Sequence, residues 1–114
     1  MVKKHFLTYG YPKADKEGLS KLISGLLGIE FEKASGESYS YRFGPIAETI
    51  SVFDNYMEFD EEWSQPDFQH CPILVTASFT IGKNIDKQAK AEHVKNVLAL
   101  IADLIEIKHS IYEE

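Results

Sequence analysis

Between Arg42 and Lys83 the chain has no lysine or arginine. Residues 43–82 carry seven acids instead: Glu48, Asp54, Glu58, Asp60, Glu61, Glu62 and Asp67. The remainder holds eleven acids against twelve bases, so the formal charge of −6 comes from this middle third. Arginine is nearly missing, with Arg42 alone. Binding to a phosphate backbone or an anionic bilayer draws on clustered cations, so the composition argues against nucleic acid and against a membrane as partner. Cys71 is the only cysteine, which excludes an internal disulfide and suits a reducing compartment. No apolar run approaches the ~20 residues that a helical membrane span needs. The start, Met-Val-Lys-Lys-His-Phe-Leu-Thr-Tyr, has basic residues but no apolar stretch behind them, so a signal peptide is not expected and the expected location is cytoplasmic. Two catalytic signatures are also missing. Gly25-Leu-Leu-Gly28 has no Lys-Ser or Lys-Thr after it, and there is no Gly-x-Ser-x-Gly elbow.

What is present is a chain of 114 residues, 44% hydrophobic, which reads as one domain over residues 1–114. Val2–Tyr9 is rich in aromatic and β-branched residues and predicts a strand. Asp15 is placed to cap a helix with Glu17 in its first turn, Leu19, Leu22, Ile23 and Leu26 at helical spacing, and Gly28 as its stop. Three extended segments follow: Ile29–Lys33, then Ser38–Phe43 with Tyr39, Tyr41 and Phe43 on one face, then Ile46–Phe53. Gly36 sits where a hairpin turn would join the first two. Residues 72–81 alternate most clearly, with Ile73, Val75, Ala77, Phe79 and Ile81 against Leu74, Thr76, Ser78 and Thr80. Asn84 or Asp86 then opens a long helix to about Tyr112, with Val94, Val97, Leu98, Ile101, Leu104 and Ile105 as its buried stripe. The order β-α-β-β-β-β-α predicts an α+β two-layer sandwich, an antiparallel sheet of four to five strands with two helices.

Few residues carry chemistry. His70-Cys71 could in principle form a thiolate pair, but neighbours entering a strand face opposite ways. His5, His70, His93 and His109 lack zinc-ligand spacing, and His93 and His109 read as helix-surface residues. Glu106-Ile-Lys-His109 matches one di-iron fragment but has no second copy. The acidic run lacks the glycine of a calcium loop and carries Tyr56, Met57 and Phe59 within it. No cofactor, metal site or catalytic residue is expected, and the chain does not read as an enzyme.

Eight of the fourteen aromatics lie between Tyr39 and Phe68, and Tyr56, Phe59, Trp63 and Phe68 are interleaved with the acids. Aromatic anchors inside a charged rim suit protein recognition, and carboxylates steer a basic partner. The alternative is that Phe59, Trp63 and Phe68 pin a solvated loop to the core. The succession Tyr39-Ser-Tyr-Arg-Phe43, then Glu48-Thr-Ile-Ser-Val-Phe-Asp-Asn55, then Trp63-Ser-Gln-Pro-Asp-Phe-Gln-His-Cys-Pro-Ile-Leu-Val75 resembles small bacterial immunity proteins. Those proteins guard a cell against toxin domains of contact-dependent growth inhibition and related polymorphic toxin systems. The resemblance implies a non-enzymatic protein that binds and blocks a cognate toxin, often a basic nuclease. It assigns no interface residues. Charge and aromatic content nominate Asp54, Tyr56, Glu58, Asp60, Glu61, Glu62, Trp63 and Asp67 as partner-binding. Two other readings stay open: a homodimeric interaction or regulatory domain, and a small hydrolase using Cys71 or an acid-held metal.

Overall fold

The alternating segment after Pro72 forms the centre of the sheet. In the computed structural model, which describes residues 1–34 and 37–114, the strands are β1 (Lys3–Tyr11), β2 (Glu32–Lys33), β3 (Tyr39–Arg42), β4 (Thr49–Asp54), β5 (Tyr56–Met57), β6 (Glu62–Trp63), β7 (Ile73–Phe79) and β8 (Ile105–Glu113). The helices are α1 (Lys16–Leu27) and α2 (Asn84–Leu98). Six strands make one antiparallel sheet in the order β2-β3-β4-β7-β1-β8, and β5 and β6 make a separate two-stranded ribbon. The α+β class and the two helices match the sequence reading, with six strands in the main sheet rather than four to five.

One face of the sheet is covered by both helices. Leu7, Tyr9 and Tyr11 of β1, Ile50 and Val52 of β4, and Ile73, Val75, Ala77 and Phe79 of β7 are buried there. They pack with Leu19, Ile23 and Leu27 of α1 and Ala91, Val94 and Leu98 of α2. The α1 signals hold: Asp15 Oδ1 accepts from the Gly18 N–H at 2.9 Å, and Gly28 adopts the left-handed conformation (φ +67°) that ends the helix.

Several expectations need correction. The long helix stops at Leu98, and residues 105–113 form a strand along the edge of β1. Ile105 is therefore exposed rather than part of a helical stripe. The sequence Ile105-Glu-Ile-Lys-His-Ser-Ile111 has a two-residue period as well, and β1 needs a partner for its open side. Neither Asn84 nor Asp86 caps α2, whose N-cap is Lys83 without a side-chain bond. Asn84 instead ties down the chain start, accepting from Lys3 N at 3.0 Å and donating to Met1 O at 2.6 Å. Phe43 does not join Tyr39 and Tyr41, which pack on the core; it lies past β3 and is 78% exposed. Ile81 is likewise past the end of β7 and exposed. The expected turn at Gly36 lies outside the described residues.

The second face of the sheet is wet at Thr49, Thr76 and Ser78 but closed at one end, where Leu74 and Cys71 are fully buried. Gly10 sits beneath: a Cβ added there would stand 2.8 Å from Cys71 Sγ and 3.2 Å from Ile107 Cδ1. Gly10→Ala should therefore destabilise the fold by about 1–2 kcal/mol in urea unfolding. Combining it with Cys71→Ala should cost less than the sum of the two single changes, because the contact with Sγ is removed, and simple additivity of the two costs would contradict the close-approach account.

Candidate partner-binding site

A single buried amide organises the acidic segment. Asn55 is fully buried at the end of β4. Its Nδ2 donates to the carbonyls of Phe68 (3.0 Å) and Cys71 (2.9 Å), and its Oδ1 accepts from the Gln65 N–H (2.8 Å). Its own backbone N–H donates to Pro72 O, and its carbonyl accepts from Ser64 N, both at 2.8 Å. The side chain thus bonds three points of the 65–71 segment, and the backbone adds two more. Only an amide offers both donors and an acceptor at that spot.

From this anchor the chain runs into the β5–β6 ribbon, in which Tyr56 pairs with Trp63 and Met57 with Glu62. The Tyr56 and Trp63 rings meet edge to face at 5.1 Å, a favourable aromatic geometry. The tip, residues 58–61, closes with Glu61 N donating to Glu58 O at 3.3 Å and Glu61 in the left-handed region (φ +53°). Phe59 stands at this tip completely exposed. It pins nothing to the core, contrary to that expectation; Trp63 and Phe68 are half-buried, Trp63 against Tyr56 within the ribbon and Phe68 near His70. Pro66–Phe68 form one 3-10 turn carrying Asp67 at its start.

The nominated residues separate into groups. Glu58, Asp60, Glu61 and Glu62 lie together on the ribbon and are exposed. Among the described residues none of these, nor Asp67, has a cation within 4.0 Å. Asp54 differs: it ends β4 and pairs with Lys16 Nζ at 3.0 Å, so a base distant in sequence is adjacent in space. Tyr56 is exposed and Trp63 is its brace. Two residues were missed. Asn55 carried only the weak signal of an Asx residue at a strand end, and Phe59 could not be told from the half-buried aromatics without the fold.

Cys71 lies beneath this segment, and burial pushes its thiol up, which disfavours a thiolate. His70 is exposed, its ring 6.0 Å from that of Phe68. Among the described residues no three His, Cys, Asp or Glu side chains gather to hold a metal ion. Among them, too, no helix is long and apolar enough to cross a membrane.

A second polar line was invisible in the sequence. His109 belongs to β8, not to a helix surface, and its Nε2 lies 2.9 Å from His5 Nδ1. Lys95 Nζ stands 3.3 Å from His109 Nδ1 and 3.3 Å from Glu106 Oε1, which accepts from the Tyr9 hydroxyl at 3.3 Å. An ammonium can only donate, so His109 carries its proton on Nε2 and donates to His5. Both imidazoles are held below the ordinary 6.5, first by burial, then by Lys87 and Lys3 around His5 and by Lys95 and His5 around His109. Glu92 opposes this at both rings, joined by Glu106 at His109. Burial, reinforced by Glu106, pushes the Tyr9 phenol up.

Comparison of the chain with known protein families, with curated proteins and with solved structures found no match.

Two outcomes follow from this geometry. Asn55→Ala strands the Gln65 N–H and the Phe68 and Cys71 carbonyls, and should cost about 2–4 kcal/mol in chemical denaturation. Hydrogen exchange should speed up across residues 64–72, and unchanged protection there would contradict the anchoring role. For the histidines, the unfolded chain takes up protons near pH 6.5 while the folded protein resists until lower pH. Their contribution is therefore present above that value and lost as pH falls through the lowered folded values. The Tm should drop between about pH 7 and pH 5, less steeply in His109→Gln than in the parent. Parallel profiles would contradict the assignment.

Proposed function

We propose that this chain is a binding protein of the immunity type, which neutralises a toxin domain in the cytoplasm by docking its acidic ribbon on a basic surface of that domain. The observation that carries the reading is the tip of the ribbon: a completely exposed Phe59 among unpaired carboxylates, on a support braced by buried Asn55. An exposed phenyl ring on a fixed platform gains about 1.5–3 kcal/mol when a partner buries it. Glu58, Asp60, Glu61 and Glu62 around it steer a cationic surface and disfavour an acidic one. A nuclease toxin presents such a surface where it binds phosphates, so the ribbon would cover the substrate groove. The resemblance to immunity proteins, over roughly residues 26–82, supports the same reading. The proposal assigns no catalytic step and no cofactor to this chain.

A second reading rests on a different feature. β8 is a nine-residue edge strand with Ile105, Ile111 and Tyr112 exposed, and such an edge is a template for pairing with a second copy. Sizing across a concentration range separates a stable homodimer from a monomer that awaits a different protein.

The direct test is co-expression with the toxin domain encoded by a neighbouring gene, scored for cell survival and for a purified complex. Failure of both overturns the proposal. Given a complex, the triple variant Glu58→Lys, Glu61→Lys, Glu62→Lys should slow association roughly tenfold or more at low salt. Phe59→Ala should mainly accelerate dissociation, by roughly tenfold or more. Binding kinetics unchanged by both would place the docking surface elsewhere.

A further inference from the structure

At the opposite end of β4 and β7 from the acidic ribbon lies a pocket of about 180 Å³. Lys87, on the inner face of α2, is 1% exposed and lines it. Lysine is rarely buried to this degree without a partner. Among the described residues Lys87 makes no ion pair and its side chain no hydrogen bond. Among them, too, no sealed side-chain nitrogen or oxygen lacks a hydrogen-bond partner, so the Lys87 ammonium keeps a sliver of accessible surface. The pocket is the opening it lines. His5, whose imidazole feels the Lys87 charge, is not an anion.

The walls have a definite character. Phe79 forms an apolar side, and Lys90, one helical turn on from Lys87, adds a second cation. Glu48 stands on another wall and pairs with neither lysine within 4.0 Å. Phe43 and Ile81, both largely exposed, also line it. Phe43 is held in the left-handed region (φ +52°), which a bulky residue adopts only where its surroundings impose it. Phe43 N donates to Glu48 O at 2.6 Å across this turn, and the next residue has to be glycine, because the Tyr41 hydroxyl occupies the space a Cβ on Gly44 would need. Strain of this kind gathers at ligand clamps.

We infer that this pocket is a binding site for a small monocarboxylate with an apolar body, its carboxylate on Lys87 and its body between Phe79 and Phe43. Size and charge select the class. A cavity of about 150 Å³ can take a benzene ring, so this pocket suits a ring-sized or short branched acid. Two cations against Glu48 leave one net positive charge, which matches a monoanion better than a phosphate dianion. The site shares no residue with the acidic ribbon, so it stands or falls independently of the proposed function.

The test is an amide NMR titration of the full chain with sodium benzoate, with benzyl alcohol and inorganic phosphate as comparisons. Benzoate should give saturable shifts at Phe43, Phe79, Lys87 and Lys90 at millimolar concentration. Benzyl alcohol, nearly the same shape without the charge, should bind roughly tenfold or more weakly, and phosphate should not saturate. Lys87→Met keeps the stem and removes the ammonium. It should lose benzoate affinity by a similar factor and raise the Tm of the unliganded protein, because an unpartnered buried charge is gone. Glu48→Gln should tighten binding by removing a competing carboxylate. No saturable shifts with benzoate, equal binding of benzyl alcohol, or full affinity in a folded Lys87→Met would each overturn the inference. The benzoate and benzyl alcohol comparison decides the matter even if that variant does not fold.

Discussion

β1 must have its backbone hydrogen bonds satisfied on both sides, and most of the architecture follows from that requirement. Leu7, Tyr9 and Tyr11 bury one of its faces, so unpaired N–H and C=O groups beside them would be costly. β7 pairs with one edge from His5↔Phe79 to Tyr11↔Ile73, and β8 with the other from Lys3↔Glu113 to Gly10↔Ile105. For β8 to arrive antiparallel, α2 has to end at Leu98 and the chain has to reverse over residues 99–104. The reversal includes Asp103 in the left-handed region. That pairing also sets Leu7 opposite His109 and lets the His5 and His109 rings meet under α2.

The ends of the central strands carry different chemistry. At one, β4 runs into Asn55, whose amide gathers the backbone of residues 64–72 and leaves the β5–β6 ribbon projecting with its carboxylates in water. At the other, the loop between β3 and β4 holds Phe43 beside a pocket that contains a buried ammonium. A charge imbalance spread over residues 43–82 in the sequence is divided by the fold. Asp54 is neutralised by Lys16, Glu48 goes to the lysine-lined end, and Glu58 to Glu62 form the concentrated acidic surface.

Much of the fold could be read from local pattern. Asp15 and Gly28 bound α1 because capping and a left-handed stop are local events that need no distant residue. The alternation of residues 73–79 predicts a strand covered on one side, and the odd positions are indeed the core side. Residues 105–113 are ambiguous in sequence because Val94, Leu98, Ile101 and Ile105 prolong a helical spacing while the same stretch also alternates. Short apolar runs satisfy both periods, and only the open edge of β1 decides between them. The candidate site was legible as an acidic, aromatic segment but not in its internal roles. Phe59, Trp63 and Phe68 look equivalent in sequence, yet the Tyr56–Trp63 contact and the Asn55 bonds bury two of them partly and leave the third in solvent.

By itself the sequence determined the class of fold, the α1 boundaries, the core side of β7 and the absence of cations from the middle third. These depend on residues within a few positions of one another, or on composition alone. Tertiary structure decided the strand at the chain's end, the His5–His109–Lys95 line, the role of Asn55 and the unpartnered Lys87. Each depends on groups brought together from distant positions by backbone pairing or helix packing, and no local spacing encodes such a meeting.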